Sequence, residues 1–514
     1  MAELYLGVAR ARVGPAAALI EVGRTAIAAC EENRLTRARH TPTAGPPELA
    51  LTELLSFVGS SPNDIAAVGV VDDETGLWER GTPESTAVDG HHAHAAYAFH
   101  ASGFSDAIAL VSEVHQPRGW SAWRYQTARH GPQAIGDALG EFPLARIYGQ
   151  VTEALGFHPM RDEHMVEAMA RAGRDEVPHL AELIRLTDEG VRVDPRFVAA
   201  IREAVASAQD DRTVRDIAAS LQRRLGECLV ELLHRIDRGS RPAVSKNGRL
   251  CLSGGLFFNT YFTTIVRNSR VFDDVYVPPH PGRNGTALGA ALLVGGQRGS
   301  ALRGCAGSPY LGPGYSDDEI KEALDNCKLS YDFQPGDRLN EMVMQDLARG
   351  RLIGWFHGRL EWGPRALGHR SVLADPFAPH VLENLNGFLK RRPWYRSYGV
   401  SVPVSRVSEW FESGAASNDS PFMQFEYRPR DPERFRTILP AGVETLRVHT
   451  VDDSEPRFLR LLEMWGEKTG APVLVNTSFN GFHEPLVCSP RDAIRVFYGT
   501  GLDVLALEDF LLRK

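Results

Sequence analysis

The chain has 514 residues, a formal net charge of −8, and 43% hydrophobic and 24% charged residues. That is the balance of a globular protein of two or three domains. The mild acidity gives no footprint for nucleic acid, and no apolar run is long enough to span a bilayer. The opening MAELYLGVARARVGPAAALIEV is broken by Glu3, Arg10 and Arg12, unlike a secretory leader. Cys30, Cys228, Cys251, Cys305, Cys327 and Cys488 are scattered without a CxxC pair, so a disulfide framework or zinc site is not expected and a reduced, cytoplasmic protein is.

Three short strands open the chain, ELYLGVAR, AALIEV and TAIAAC, with turns at VGP and VGR. A helix over PPELALTELLSFVG follows, then the buried-type strand IAAVGVV, a histidine-rich stretch VDGHHAHAAYAFH, and the strand DAIALVSEV. Strands alternating with helices predict an α/β domain. Residues 176–238 read as mostly helical, over PHLAELIRLT and TVRDIAASLQRRLGECLVELLHRI. A strand–turn unit, GRLCLSGGLFFN, comes next, and a Gly- and Ser-containing stretch suggests a boundary between residues 1–305 and 306–514. The second part starts with a helix at DDEIKEAL and is α/β again; no fixed-period repeat is visible.

The sharpest local signal is GWFHGRLEWGPRALGHRSVLADP. A strand runs into a glycine-containing turn that carries Glu361, Arg365, His369, Arg370 and Ser371. Glycine allows close backbone approach, and arginine suits bidentate binding of phosphate or carboxylate. LKRRPWYR adds Lys390, Arg391, Arg392 and Arg396, and VLVNTSFNG ends a strand in Asn476, Thr477, Ser478 and Asn480. Short polar groups at a strand end are what an anion or nucleotide site needs. In the first part, Gly254 and Gly255 with Asn259 follow a strand, and Gly285 and Thr286 open a helix. Either turn suits a phosphate or sugar, although such turns are also common as plain structure.

EWGPRALGHRSVLADP, VNTSFN and EPLVCSPRDAIRVFYGTGLDVLALEDFLLRK resemble the NodU/CmcH family of O-carbamoyltransferases, and EENRLTR, DIAASLQ, SGGLFFN, GTALGAAL and YLGPGYSDDEI extend the match over nearly the whole chain. The resemblance implies an N-terminal actin/hexokinase-like (ASKHA) domain and a C-terminal YrdC-like α/β domain. It implies that ATP, with Mg2+, and carbamoyl phosphate form carbamoyl adenylate, whose carbamoyl group passes to a hydroxyl of a small natural product, aided by a bound metal. On this basis Arg365, Arg370, Lys390 and Asp216 are expected to be catalytic. Ser371, Arg392, Arg396, Asn476, Thr477, Ser478, Asn480, Gly254, Gly255, Asn259, Arg283 and Gly285 are expected to bind substrate or nucleotide. The implied partner is a small secondary-metabolite acceptor, with no nucleic acid or membrane, and a homodimer is left open.

The sequence departs from the family around the metal. The family's paired histidines fall at Gly90 and His94, with His91 three residues before His94; one metal carboxylate position is Ser112 and another is Arg283. His164 stands at a family Lys, and AGVETLR keeps Thr445 and Arg447 of a longer motif. His91 and His94 are the remaining metal candidates, and a fixed cation beside them opposes a family-type transition metal. Two further readings follow: a metal-independent enzyme that activates another carboxylate or amide with ATP, and a non-catalytic scaffold.

Overall fold

The first strands form because apolar, β-branched and alanine-rich runs are cut by glycine and proline turns. In the computed structural model, which describes residues 3–9, 14–21, 26–39, 45–71, 85–114, 119–127, 131–135, 139–174, 176–240, 248–297, 307–412 and 419–514, they are β1 (Leu4–Ala9), β2 (Ala16–Glu21) and β3 (Ala26–Glu31). With β4 (Ile65–Val71) and β5 (Ser85–Val88) they make one sheet, in the order β3-β2-β1-β4-β5. β1, β2 and β3 pair antiparallel, while β1, β4 and β5 run parallel.

A second sheet repeats this plan. β6 (Asp106–Ser112), β7 (Trp120–Gln126) and β8 (Gln133–Ile135) are antiparallel neighbours. After a small hairpin, β9 (Ile184–Thr187) and β10 (Gly190–Val193), β11 (Arg249–Ser253) and β12 (Asp274–Tyr276) add parallel to β6. Read from the antiparallel edge, the order is β8-β7-β6-β11-β12, the first sheet's order again. This is an α/β architecture in which one five-stranded sheet plan occurs twice.

Two helices fill the space between these sheets, Gly90–Ser102 and Thr286–Gln297. The first is nearly all alanine, histidine and aromatic residues and is buried around its whole circumference, as a helix without a polar face must be. The contact is close because glycine permits it: a Cβ on Gly289 would lie 1.9 Å from the Ala93 carbonyl oxygen, and one on Gly7 would lie 1.8 Å from that of Ala287. The helix expected over PHLAELIRLT is corrected. Only Pro178–Ala181 is helical, and the rest enters the β9–β10 hairpin, because Gly190 at φ +115° closes a tight turn after Thr187. The long helix Asp211–Ser240 does form.

The second half carries a nine-stranded mixed sheet, β13 (Asp332–Phe333), β14 (Ile353–Phe356), β15 (Arg370–Ala374), β16 (Gly399–Pro403), β17 (Glu426–Tyr427), β18 (Leu446–Val451), β19 (Leu474–Ser478), β20 (Val504–Leu507) and β21 (Phe510–Arg513), in the order β13-β21-β20-β14-β15-β19-β16-β18-β17. Alternate residues face opposite cores: Val504 and Ala506 with Trp355 and Trp465, Leu505 and Leu507 with Phe356 and Phe497. β15 and β19 pair antiparallel, setting Ser371 opposite Ser478 and Val372 opposite Thr477. The halves share one core, and Trp362, 1% exposed, packs among the residues of the first-half helices. The boundary expected at residue 305/306 lies outside the described residues. Among the described residues no helix is long and apolar enough to cross a membrane.

Gly289→Ala should destabilise the protein by about 1–3 kcal/mol, since the helices must separate to admit a methyl group. Urea unfolding measures this, and wild-type stability would mean that they do not cross so closely.

Candidate active site at the junction of the two halves

The turn from β14 to β15 is organised by one carboxylate. Glu361, 1% exposed, accepts the backbone N–H groups of Leu367, His369 and Arg370 at 2.9, 3.0 and 2.9 Å. This curls the turn so that Trp362 enters the first half and Arg365 reaches across, its Nη2 donating to the Phe258 carbonyl at 2.8 Å. Arg34 answers from the other side, donating to the Gly363 carbonyl at 2.7 Å.

Around Arg365 the seam is strongly charged. Glu167, on the helix Glu163–Ala172, meets Arg171 at 2.9 Å and Arg447 at 3.1 Å. Glu426 of β17 also pairs with Arg171, and it accepts from Thr260 at 2.6 Å and Thr445 at 2.7 Å. Burial alone would raise the Glu167 carboxyl; Arg447, Arg171 and Arg365 outweigh it and hold it well below the usual carboxylate range. Those two carboxylates balance Arg171 and Arg447 and no more. Among the described residues, Arg39, Arg365, Lys390, Arg392 and Arg396 have no ion pair with a carboxylate. Each is pushed to a lower pKa by burial, four of them chiefly aided by neighbouring arginines: Arg365 falls to about 9, and Lys390 and Arg396 fall well below their ordinary values. Arg392 also lies over the Tyr398 ring at 5.4 Å.

Lys390 sits at the end of a π-helical turn, Asn384–Lys390. Its Nζ donates to the Ser478 carbonyl, to the Asn480 carbonyl at 3.2 Å and to Asn480 Oδ1 at 2.7 Å. Ser478 Oγ donates to the same Oδ1 at 2.6 Å. Six residues expected from sequence therefore come together here: Arg365, Lys390, Arg392, Arg396, Ser478 and Asn480. His164, on the helix with Glu167, joins them.

The other expected residues have different partners. Arg370 is fully buried, its Nη1 on the carbonyls of His357 at 2.7 Å and Gly358 at 3.0 Å, its guanidinium 3.5 Å from the Phe356 ring centre. Ser371 Oγ accepts from Gly368 N–H at 3.0 Å. Asn476 donates to Ser401 at 3.0 Å, inside the sheet, and Thr477 is buried beside it on β19. Asp216 accepts the Arg174 N–H at 2.6 Å and so fixes the end of the Glu163–Ala172 helix against the long helix. Asn259 caps the helix Thr260–Ser269 and donates to Tyr148 at 3.0 Å and Gln222 at 2.7 Å. Gly254, at φ +104°, lies against Ser112, where a Cβ would fall 2.1 Å from the carbonyl oxygen. Gly255 N–H already donates to Glu113 at 3.0 Å, in the place a phosphate oxygen would take. A Cβ on Gly285 would lie 2.1 Å from the His280 carbonyl oxygen, which makes this glycine a packing requirement.

The histidine helix resolves into hydrogen bonds. His94 Nδ1 is 2.9 Å from Ser253 Oγ, and its Nε2 is 3.7 Å from Glu113. His91 Nδ1 is 2.8 Å from Ser121 Oγ. Both Glu113 oxygens accept backbone N–H groups, from Val114 at 2.8 Å and Gly255 at 3.0 Å. Burial first, then His91 and Arg283, push the His94 imidazole well below its ordinary pKa. Among the described residues no three His, Cys, Asp or Glu side chains are grouped to hold a metal ion. With the Arg283 charge beside them, these side chains do not fit a family-type metal centre.

Sequence reasoning did not single out Arg39, Glu167, Arg171, Thr260 or Glu426. The one available signal was the pair Thr445 and Arg447, both of which bind these carboxylates.

Residues 63–292 match the model "Carbamoyltransferase N-terminus", and residues 344–514 match "Carbamoyltransferase C-terminus". The nodulation protein NolO of Bradyrhizobium diazoefficiens is 32% identical over 442 residues, covering 82% of this chain and 78% of that protein. The 3'-hydroxymethylcephem-O-carbamoyltransferase of Amycolatopsis lactamdurans is 29% identical over 294 residues, 57% of this chain and 52% of that one. The solved HypF of T. kodakarensis is 15% identical with a TM-score of 0.37, covering 57% of this chain and 48% of that one. The chain belongs to the carbamoyltransferase family of the NodU/CmcH type and is a transferase enzyme.

Proposed function

We propose that the cationic seam binds carbamoyl phosphate and ATP, and that the enzyme transfers a carbamoyl group to a hydroxyl of a small natural product. The observation that carries this reading is the set of five cations, Arg39, Arg365, Lys390, Arg392 and Arg396, gathered with no carboxylate ion pair among the described residues. Gathering like charges in a partly buried place is unfavourable unless an anion completes it. Water would cleave carbamoyl phosphate to carbamate and inorganic phosphate, the carbamate oxygen would attack the α-phosphorus of ATP, and pyrophosphate would leave. The acceptor oxygen would then attack the carbamoyl carbon, and AMP would leave. Arginines around the phosphates stabilise the charge that shifts in both steps. Lys390 holds the Ser478–Asn480 loop beside these cations. Arg370 and Asp216 act from behind, by fixing the turn and the helix that present Arg365 and Glu167.

A second observation favours transfer without a family-type transition metal. Arg283 presses on His94, and Glu113 is held by two backbone N–H groups. In this reading Mg2+ enters only with ATP.

Arg396→Ala should lower carbamoyl phosphate-dependent exchange of pyrophosphate into ATP by about 10²–10³-fold. Wild-type exchange in that variant would remove the assignment. Elemental analysis of the purified enzyme should find less than stoichiometric transition metal, and one bound iron per chain would contradict the metal-free reading.

A further inference from the structure

His164 is the second residue of the helix Glu163–Ala172 and faces the field of Arg396, Arg39 and Arg392, which have no carboxylate ion pair among the described residues. Its Nδ1 lies 3.2 Å from the Arg161 carbonyl oxygen. A carbonyl only accepts, so Nδ1 carries the ring hydrogen, and Nε2 is the position open to a second proton. The charged groups around it come from each neighbouring element. Arg161 and Asp162, paired at 3.1 Å, lie in the preceding turn. Glu163 and Glu167 are on its own helix. Arg39 comes from the segment after the helix Glu32–Thr36, and Arg392 and Arg396 from the segment after the π-helical turn, with Arg396 Nη1 3.5 Å from the adjacent Met165 Sδ. Burial, then Arg396, Arg39 and Arg392, push the free imidazole down to about 3, against the attraction of Glu167. The ring is thus neutral chiefly because burial disfavours its charged form, and the arginines that face it outweigh Glu167.

Resting on the reading of this seam as a phosphate site, we propose that His164 is its proton-linked member: an anion that offsets Arg39, Arg392 and Arg396 draws a proton onto Nε2, and phosphate ligands bind more tightly as pH falls. The sign follows from linkage. A group whose proton affinity is higher in the loaded than in the free site couples binding to proton uptake. The coupling is absent above the loaded pKa and grows below it. The protonated ring then donates an additional charge-assisted hydrogen bond to the ligand. Histidine is suited to this because a modest change in surroundings carries it across neutral pH.

Calorimetric titration of carbamoyl phosphate, between pH 8 and 6 in buffers of different ionisation enthalpy, reads the proton uptake directly. Wild type should take up more protons than His164→Gln, by up to about one per site, and its affinity should gain up to about tenfold per pH unit over that variant at full coupling. His164→Arg, whose guanidinium stays protonated over this range, should bind without the excess uptake. The ligand's own titration is common to all three proteins. Equal uptake in wild type and His164→Gln overturns the proposal. Sulfate, whose charge is fixed over this range, is titrated in parallel. If sulfate binds and carbamoyl phosphate does not, the carbamoyl phosphate reading falls while the proton difference is still decided; if neither binds, both fall.

Discussion

Seven cations meet two carboxylates where the halves of this enzyme join. Glu167 and Glu426 satisfy Arg171 and Arg447, and among the described residues the other five cations have no ion pair with a carboxylate. Bringing such charges out of water costs several kcal/mol each unless they are paired. A fold that holds them must therefore gain its stability elsewhere and leave room for an anion. The shared core that runs from Leu110 and Phe262 in one half to Val400 and Phe497 in the other is what supplies that stability.

The surrounding architecture serves to keep these charges in place. Glu361 shapes the turn that delivers Arg365 and plugs Trp362 into the first half. Arg370 spends its donors on carbonyls of the same turn. Arg37, which ends the helix Glu32–Thr36 and donates to the Pro485 carbonyl at 2.9 Å, ties that helix to the loop that follows Asn480. These groups position the ones that face the seam. Long polar side chains in a motif are thus of two kinds, those that meet ligand and those that hold the motif's own backbone, and residue type alone does not separate them.

That distinction explains how much could be read from the chain. Strand runs such as IAAVGVV and LVNTS announce themselves through β-branched residues and flanking turns, and both are where expected. The duplication of the two five-stranded sheets was invisible, because topology repeats without a repeated sequence. The Lys390, Arg392, Arg396, Ser478 and Asn480 set was legible as clustered polar residues near strand ends. Glu167 and Glu426 were not, since a carboxylate in an amphipathic helix or a short edge strand looks like surface until tertiary contacts bury it. PHLAELIRLT has helical composition, yet the tight turn at Gly190 and pairing across the hairpin override that preference.

The histidine helix shows hydrogen bonds where the family resemblance implies metal ligands. Its two buried histidines are engaged by Ser121 and Ser253, and a carboxylate already occupies the Gly255 N–H. The proposed function accordingly puts anion binding at the seam and not at the glycine turns of the first half. A crystal structure with carbamoyl phosphate and a non-hydrolysable ATP analogue tests this most directly. Phosphate density among Arg365, Arg392 and Arg396 is the predicted result; phosphate density on Gly254 and Gly255, with Glu113 displaced and the arginines left empty, would contradict it.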